Sequence, residues 1–177
     1  MSDNTNFESI VLGGGCFWCI EAVMLMVEGV TDATPGYAGG DTADPTYAKV
    51  CRGNTGHAEV VKVDFDPGRV TLEEILDVFF AAHDPTSLNR QGADSGTQYR
   101  SIVLYDSDEQ RERAQRFIDG IAPDYSKPIV TEVKELDRFC TAEDYHQRYF
   151  QKNPRQGYCQ MVVAPKVEKI KTRLHAT

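Results

Sequence analysis

Three consecutive glycines, Gly13, Gly14 and Gly15, separate the β-prone run of residues 9–12 from an apolar segment at residues 20–30, and Cys16-Phe17-Trp18-Cys19 fills the joint. Such a joint calls for a strand, a tight turn and a helix start in that order, which points to layered folds of mixed strands and helices. It also puts a thiol at a helix N-terminus, where the first backbone N–H groups lack intrahelical partners and the helix end is partly positive. A thiolate is stabilised there relative to the thiol, so the pKa of Cys16 is expected to fall from about 8.5 toward neutrality, making Cys16 a candidate nucleophile. A cysteine beside Phe17 and Trp18 also packs well as a small buried hydrophobe, and the two aromatics suit a core as well as a wall beside the sulfur.

The rest of the chain supplies further elements. Residues 17–26 read as a helix and 27–30 as its exit; residues 31–37 are short and partly β-prone before the turn Gly39-Gly40-Asp41. Ala58 to Phe65 alternates and is rich in valine, a strand closed by Asp66-Pro67-Gly68. Thr71 and Glu74 have capping-box spacing, and Leu72, Ile75, Leu76, Phe79 and Phe80 fall on one helical face behind them. A strand at residues 99–105, a polar helix opened by Ser107 and running to about Ile118, and an edge strand at residues 129–133 follow. The order strand, helix, strand, strand, helix, strand predicts an α+β fold, a two-layer α/β sandwich with a ferredoxin-like βαββαβ core. Beyond Cys140, with Pro154, Gly157 and Pro165, a long irregular C-terminal tail is expected.

With 177 residues and no linker or charge block, residues 1–177 read as a single domain. A formal net charge of −8 opposes binding to phosphate backbones, so no nucleic acid partner is expected. The start, Met1-Ser2-Asp3-Asn4-Thr5-Asn6, lacks the basic and apolar regions of a secretory signal, and no run approaches a membrane span. Five cysteines, Cys16, Cys19, Cys51, Cys140 and Cys159, are an odd number that fits reduced thiols in a cytoplasmic protein better than a disulfide scaffold.

Cys19 completes a Cys-x-x-Cys spacing, and residues three apart share a helix face, so a Cys16–Cys19 disulfide and thioredoxin-like dithiol exchange are one reading. No metal is expected, because His57, His83, His146 and His175 are scattered and no second cysteine pair exists at ligand spacing. The glycine cluster lacks the Lys-Ser/Thr ending of a phosphate-binding loop. Glu59 stands at the start of an otherwise apolar strand, where partial burial would keep it protonated as an acid. The pattern alone is met slightly better by a surface residue at a strand entry. The polar stretch from His83 to Ser101 is long for a loop inside a compact domain, and Tyr47 and Tyr99 can each supply a hydroxyl donor or pack as amphipathic rings.

Gly-Cys-Phe-Trp at 15–18, Gly-Tyr-Ala-Gly-Gly at 36–40, Pro-Thr-Tyr at 45–47, Gly-His-Ala-Glu at 56–59, His-Asp-Pro-Thr at 83–86, the run 90–101 and Ala-Glu-Asp-Tyr-His-Gln at 142–147 together resemble the peptide methionine sulfoxide reductase A family over nearly the whole chain. The resemblance implies that Cys16 attacks the sulfur of methionine S-sulfoxide, free or in oxidised proteins, while Phe17 and Trp18 receive the methyl group. It implies that Tyr47, Glu59 and Tyr99, with Asp94 nearby, bind and protonate the sulfoxide oxygen, and that Cys16 becomes a sulfenic acid. A resolving cysteine then forms a disulfide that thioredoxin, or dithiothreitol in vitro, reduces; no bound cofactor is needed, and the chain is expected to act as a monomer. Cys159 in Gly157-Tyr158-Cys159 resembles the resolving cysteine, whereas Cys19 stands where many members have glycine. Cys16–Cys159, Cys16–Cys19 and a relay through both stay open, with Cys159 favoured because a flexible tail reaches the sulfur without straining a helix turn. Cys51 and Cys140 are read as structural.

Overall fold

The computed structural model describes residues 6–176; the polar start read at residues 1–5 lies outside them. The elements are β1 (Glu8–Gly13), α1 (Phe17–Met24), β2 (Val30–Ala38), α2 (Tyr47–Cys51), β3 (Ala58–Phe65), α3 (Leu72–Ala82), the short hairpin β4 (Arg90–Gln91) and β5 (Asp94–Ser95), β6 (Ile102–Tyr105), α4 (Asp108–Ile121), β7 (Glu132–Glu135), β8 (Phe139–Thr141), α5 (Tyr149–Lys152) and α6 (Ala164–His175). Six strands form one sheet in the order β7-β6-β1-β3-β2-β8, antiparallel throughout except for the parallel pair β6 and β7.

Alternation along the strands divides the sheet into two faces. Ile10 and Leu12 of β1 and Val61, Val63 and Phe65 of β3 join the main core beneath the helices, whereas Val11, Ala58 and Val60 pack on the opposite face with Ile102 and Leu104. Helices α1, α3 and α6 pack on one another over the main core. A helix covered on several sides must be apolar around its circumference, and α1 is, apart from a single glutamate. Helix α3 starts at a complete capping box: the Thr71 hydroxyl accepts from Glu74 N–H at 3.1 Å and the Glu74 carboxylate accepts from Thr71 N–H at 2.9 Å. Thr71→Ala leaves one of those N–H groups without its acceptor and is expected to cost about 1 kcal/mol in denaturant unfolding.

The structure departs from the sequence expectations at three places. Strand β2 runs nine residues because Val30 to Ala38 pair with β3 on one side and β8 on the other. Residues 97–99 form a 3-10 turn, so β6 begins only at Ile102. The third departure is the chain after Cys140. Residues 142–158 are loops and short helical turns, but Cys159–Val163 is a π-helix that runs into the twelve-residue α6. Pro165 follows the π-helix directly, at its junction with α6 inside a continuous helical run, and a π-bulge is one way a helix accommodates a missing ladder hydrogen bond. Val163, Val167, Ile170 and Leu174 recur at helical spacing and pack on the main core, which holds this segment in place. No helix among the described residues is long and apolar enough to cross a membrane.

Candidate active site

The turn between β1 and α1 lies over the start of β3. A side chain at Gly14 would run into the His83 ring at 2.7 Å, and Gly15 has φ +85°, so this path accepts little but glycine. Gly15 N–H donates to Tyr99 C=O at 3.1 Å, joining the turn to the 3-10 segment. Cys16 is the N-cap of α1 and is 8 % exposed. Its pKa is raised well above the ordinary thiol value, first by burial, then by Glu59 and by Cys19, while the Trp18 N–H and the Tyr158 hydroxyl pull the other way. The lowered pKa expected from the helix N-terminus is therefore reversed: an end charge of about half a unit does not offset removing the sulfur from water beside a carboxyl group.

Parity along β3 explains Glu59. Residues 59, 61, 63 and 65 share a face, and the last three are core, so Glu59 is carried under the start of α1 and is 1 % exposed. This corrects the reading of Glu59 as a surface strand-entry residue. Its Oε1 accepts the Phe17 N–H at 3.2 Å, and its Oε2 has no partner among the described residues. Burial pushes the Glu59 carboxyl up to about 8, with Asp94 adding to the rise and the Phe17 N–H opposing it. Near neutral pH Glu59 is thus mainly an acid with one oxygen uncommitted.

Tyr47 and Tyr99 both feel the Glu59 carboxyl. Both hydroxyls are held protonated, first by burial and then by Glu59, and the Tyr47 hydroxyl also meets the Cys51 thiol. The Tyr47 and Phe17 rings stack at 6.4 Å. Arg100 ties the surrounding loops together by donating to Gly56 C=O and Thr97 C=O, each at 2.9 Å. Asp94 accepts from the Tyr158 hydroxyl. That hydroxyl also favours thiolate at both Cys16 and Cys19, and its single proton goes either to Asp94 or to a sulfur.

Phe17 and Trp18 belong to a larger aromatic box. The Trp18 indole N–H donates to His146 Nδ1 at 3.0 Å, so His146 is held as the neutral tautomer with its proton on Nε2. The His146 ring lies 4.9 Å from Phe17 and 4.5 Å from Tyr47, and Tyr149 stacks flat on Trp18 at 3.7 Å. Glu143 fixes the far side of the box, accepting from Tyr37 O–H at 2.8 Å and from Tyr47 N–H at 3.0 Å. His146, Glu143, Tyr149 and Tyr158 received no role from sequence. Two of them lie inside the quoted motif at 142–147, but nothing in that motif says that it folds back onto α1.

The cysteines divide clearly. All five are free thiols; Cys16, Cys19 and Cys159 are buried in the main core, Cys51 is exposed and Cys140 is half-buried on β8. Cys19 is raised to about 11, chiefly by burial, with Lys166 opposing and with Cys159 among the neighbours that raise it further. Cys19 is one turn from Cys16, its N–H bonded to Cys16 C=O at 3.1 Å, and α1 packs against the π-helix that begins at Cys159. Asp94 and Tyr158 also line a cavity of about 580 Å³ on the side of α6, with His83, Gln91 and Lys166. Among the described residues no group of three or more His, Cys, Asp or Glu side chains is placed to hold a metal ion.

A family model described as peptide methionine sulfoxide reductase matches residues 8–177. Peptide methionine sulfoxide reductase MsrA of Haloquadratum walsbyi is 54% identical over 164 residues, covering 93% of this chain and 94% of the relative. Among solved structures, methionine sulfoxide reductase A of Corynebacterium diphtheriae superposes with TM-score 0.84 at 38% identity, over 91% of this chain and 81% of its own. Mxr1 from Saccharomyces cerevisiae in complex with Trx2 superposes with TM-score 0.61 at 26% identity, over 84% and 88% of the two chains.

Proposed function

This chain belongs to the peptide methionine sulfoxide reductase A family and is an oxidoreductase, and we propose that it reduces methionine S-sulfoxide, free and in proteins, with Cys16 as nucleophile and thioredoxin as the final reductant. The observation that carries the assignment is the buried Glu59 carboxyl, which is bonded to the N–H of Phe17 next to Cys16, keeps Oε2 without a partner among the described residues and acts on the Cys16 thiol. A sulfoxide oxygen leaves poorly until it is protonated, and a nucleophile alone does not break the S–O bond.

In this mechanism the sulfoxide oxygen takes the place of the missing partner at Glu59 Oε2, with the Tyr47 and Tyr99 hydroxyls as further donors. The methyl group lies against Phe17 and Trp18. Cys16 Sγ attacks the sulfoxide sulfur, Glu59 protonates the oxygen, and the thiol proton of Cys16 restores Glu59. The oxygen ends on Cys16 as a sulfenic acid and methionine leaves, so the sulfoxide is reduced by two electrons and Cys16 is oxidised by two. Asp94 orients Tyr158 and adds negative potential that keeps Glu59 neutral.

For recycling the reading is a relay. Cys19 attacks the Cys16 sulfenic acid and water leaves; Cys159 then attacks Cys19, giving a Cys19–Cys159 disulfide and returning the Cys16 thiol. The position of Cys19 beside both other thiols supports this order, and the packed segment around Cys159 removes the reason for preferring a swinging tail. Dithiols of thioredoxin reduce the final disulfide, consistent with the relative solved in complex with Trx2. The strand order β6-β1-β3-β2 with its two helical crossovers supports the ferredoxin-like description, and the whole chain is read as one catalytic domain acting as a monomer in the cytoplasm.

Mass mapping of disulfides after one turnover tests the relay. Wild type is expected to accumulate Cys19–Cys159, and Cys159→Ser a Cys16–Cys19 bond that thioredoxin recycles far more slowly. A Cys16–Cys159 bond formed at the wild-type rate in Cys19→Ser would reject the relay. Dithiol exchange at an undiminished rate without any sulfoxide would instead favour a general thiol–disulfide oxidoreductase.

A further inference from the structure

Glu21 is the single charged side chain on α1, and it is 0 % exposed. A buried carboxyl needs its oxygens satisfied, yet Oε1 of Glu21 has no hydrogen-bond partner among the described residues, while Oε2 accepts the Arg148 N–H at 2.8 Å and the Tyr149 N–H is also turned toward the carboxyl. The residue that it holds is also unfavourable. Arg148 is a non-glycine residue in the left-handed region, φ 56° and ψ 36°, and its guanidinium is drawn to Asp32 at 2.9 Å. Two costly features meet at one hydrogen bond, so their benefit is to be found next to it.

The next residue is Tyr149, the first of α5, whose ring lies on Trp18 at 3.7 Å with only 5° between the planes. Trp18 is three residues before Glu21, so the two share a side of α1. The carboxyl and the indole thus meet consecutive residues of one folded-back segment. We propose that Glu21 is a positioning residue: by holding the Arg148 N–H it fixes the backbone entering α5, so that Tyr149 stays stacked on Trp18 and the indole is clamped between Tyr149 on its face and His146 at its N–H. Its consequence for substrate rests on the reading of Trp18 as the methyl-receiving wall. A wall free to rotate would hold the substrate methyl group less well in the ground state and the transition state alike, so binding weakens while the chemical step changes little.

Burial pushes the Glu21 carboxyl up to about 7, so an amide, which keeps the carbonyl acceptor, is a close stand-in for its neutral form. Trp18 is the only tryptophan of the chain, so its emission and near-ultraviolet circular dichroism report on the clamp without turnover. Glu21→Leu is expected to change both signals in the same direction as Tyr149→Ala, while Glu21→Gln stays near wild type. The same leucine variant is expected to raise KM for a methionine S-sulfoxide peptide about tenfold with a much smaller change in kcat, and the double variant to lose no more than either single one. Glu21→Met, unbranched and also without an acceptor, serves if the leucine variant does not fold. Wild-type Trp18 signals in the Leu or Met variant, or additive losses in the double variant, would overturn the proposal. Shifted Trp18 signals with an unchanged KM would uphold the tether and overturn the role of Trp18 as the wall.

Discussion

Replacing Cys16 by serine is expected to leave no measurable reduction of a methionine S-sulfoxide peptide, with dithiothreitol or with thioredoxin, while leaving the fold intact. The two halves of this result have separate causes. Serine oxygen is a poor nucleophile toward sulfur and has no counterpart of the sulfenic acid, so the two electrons that the sulfoxide needs have no donor at this position. Cys16 is also the N-cap of α1, and serine is among the preferred N-cap residues because its hydroxyl accepts from the first turn of the helix. The variant should therefore unfold at or slightly above the wild-type temperature. The check is a turnover assay paired with a thermal melt, and substantial activity in a well-folded Cys16→Ser protein would remove Cys16 from the mechanism.

The contrast between Cys16 and Glu59 shows which parts of the site can be read from sequence. A helix N-terminus was visible at Cys16, and local electrostatics alone predict an activated thiol. The structure gives the opposite direction because burial and Glu59 act from 43 positions away in the chain, a distance that no local pattern spans. At Glu59 the needed signal was present but outweighed. Val61, Val63 and Phe65 share its parity, whereas Lys62 and Asp64 take the other, so the alternation itself assigns Glu59 to the core face. Local rules served well where local physics decides, as in the capping box at Thr71 and the N-cap at Ser107, whose side chain accepts from Gln110 N–H. They failed at Pro165, read as part of an irregular tail although the π-helix of Cys159–Val163 runs directly into the helix that holds it. His146, Glu143 and Glu21 were beyond reach for one reason: each acts through a partner more than 90 residues distant, on a segment that folds back over the first helix.

The buried acid leads to the second large effect. Glu59→Gln keeps the carbonyl oxygen that accepts the Phe17 N–H but has no proton to give, so the reductase step is expected to slow by about 10²–10⁴-fold. The same change should reshape the pH profile. In wild type the acid form is lost as pH rises through about 8, so the rate should fall on the alkaline side, and that limb should be missing from the residual activity of the glutamine variant. The substitution acts on stability with the opposite sign. The folded-state pKa of Glu59 lies above its unfolded value, so the protein is favoured while Glu59 is protonated and loses that advantage as pH rises toward and through about 8, when a buried carboxylate must be formed. Glutamine never ionises, so the variant should equal or exceed wild type in melting temperature at pH 9 while being far slower at pH 7. A residue present only to hold the fold would lose rate and stability together. Opposite signs in the two measurements, rate at neutral pH and melting temperature in alkali, are what a buried proton donor requires, and a glutamine variant with wild-type rate or with a steeper alkaline loss of stability would contradict that role.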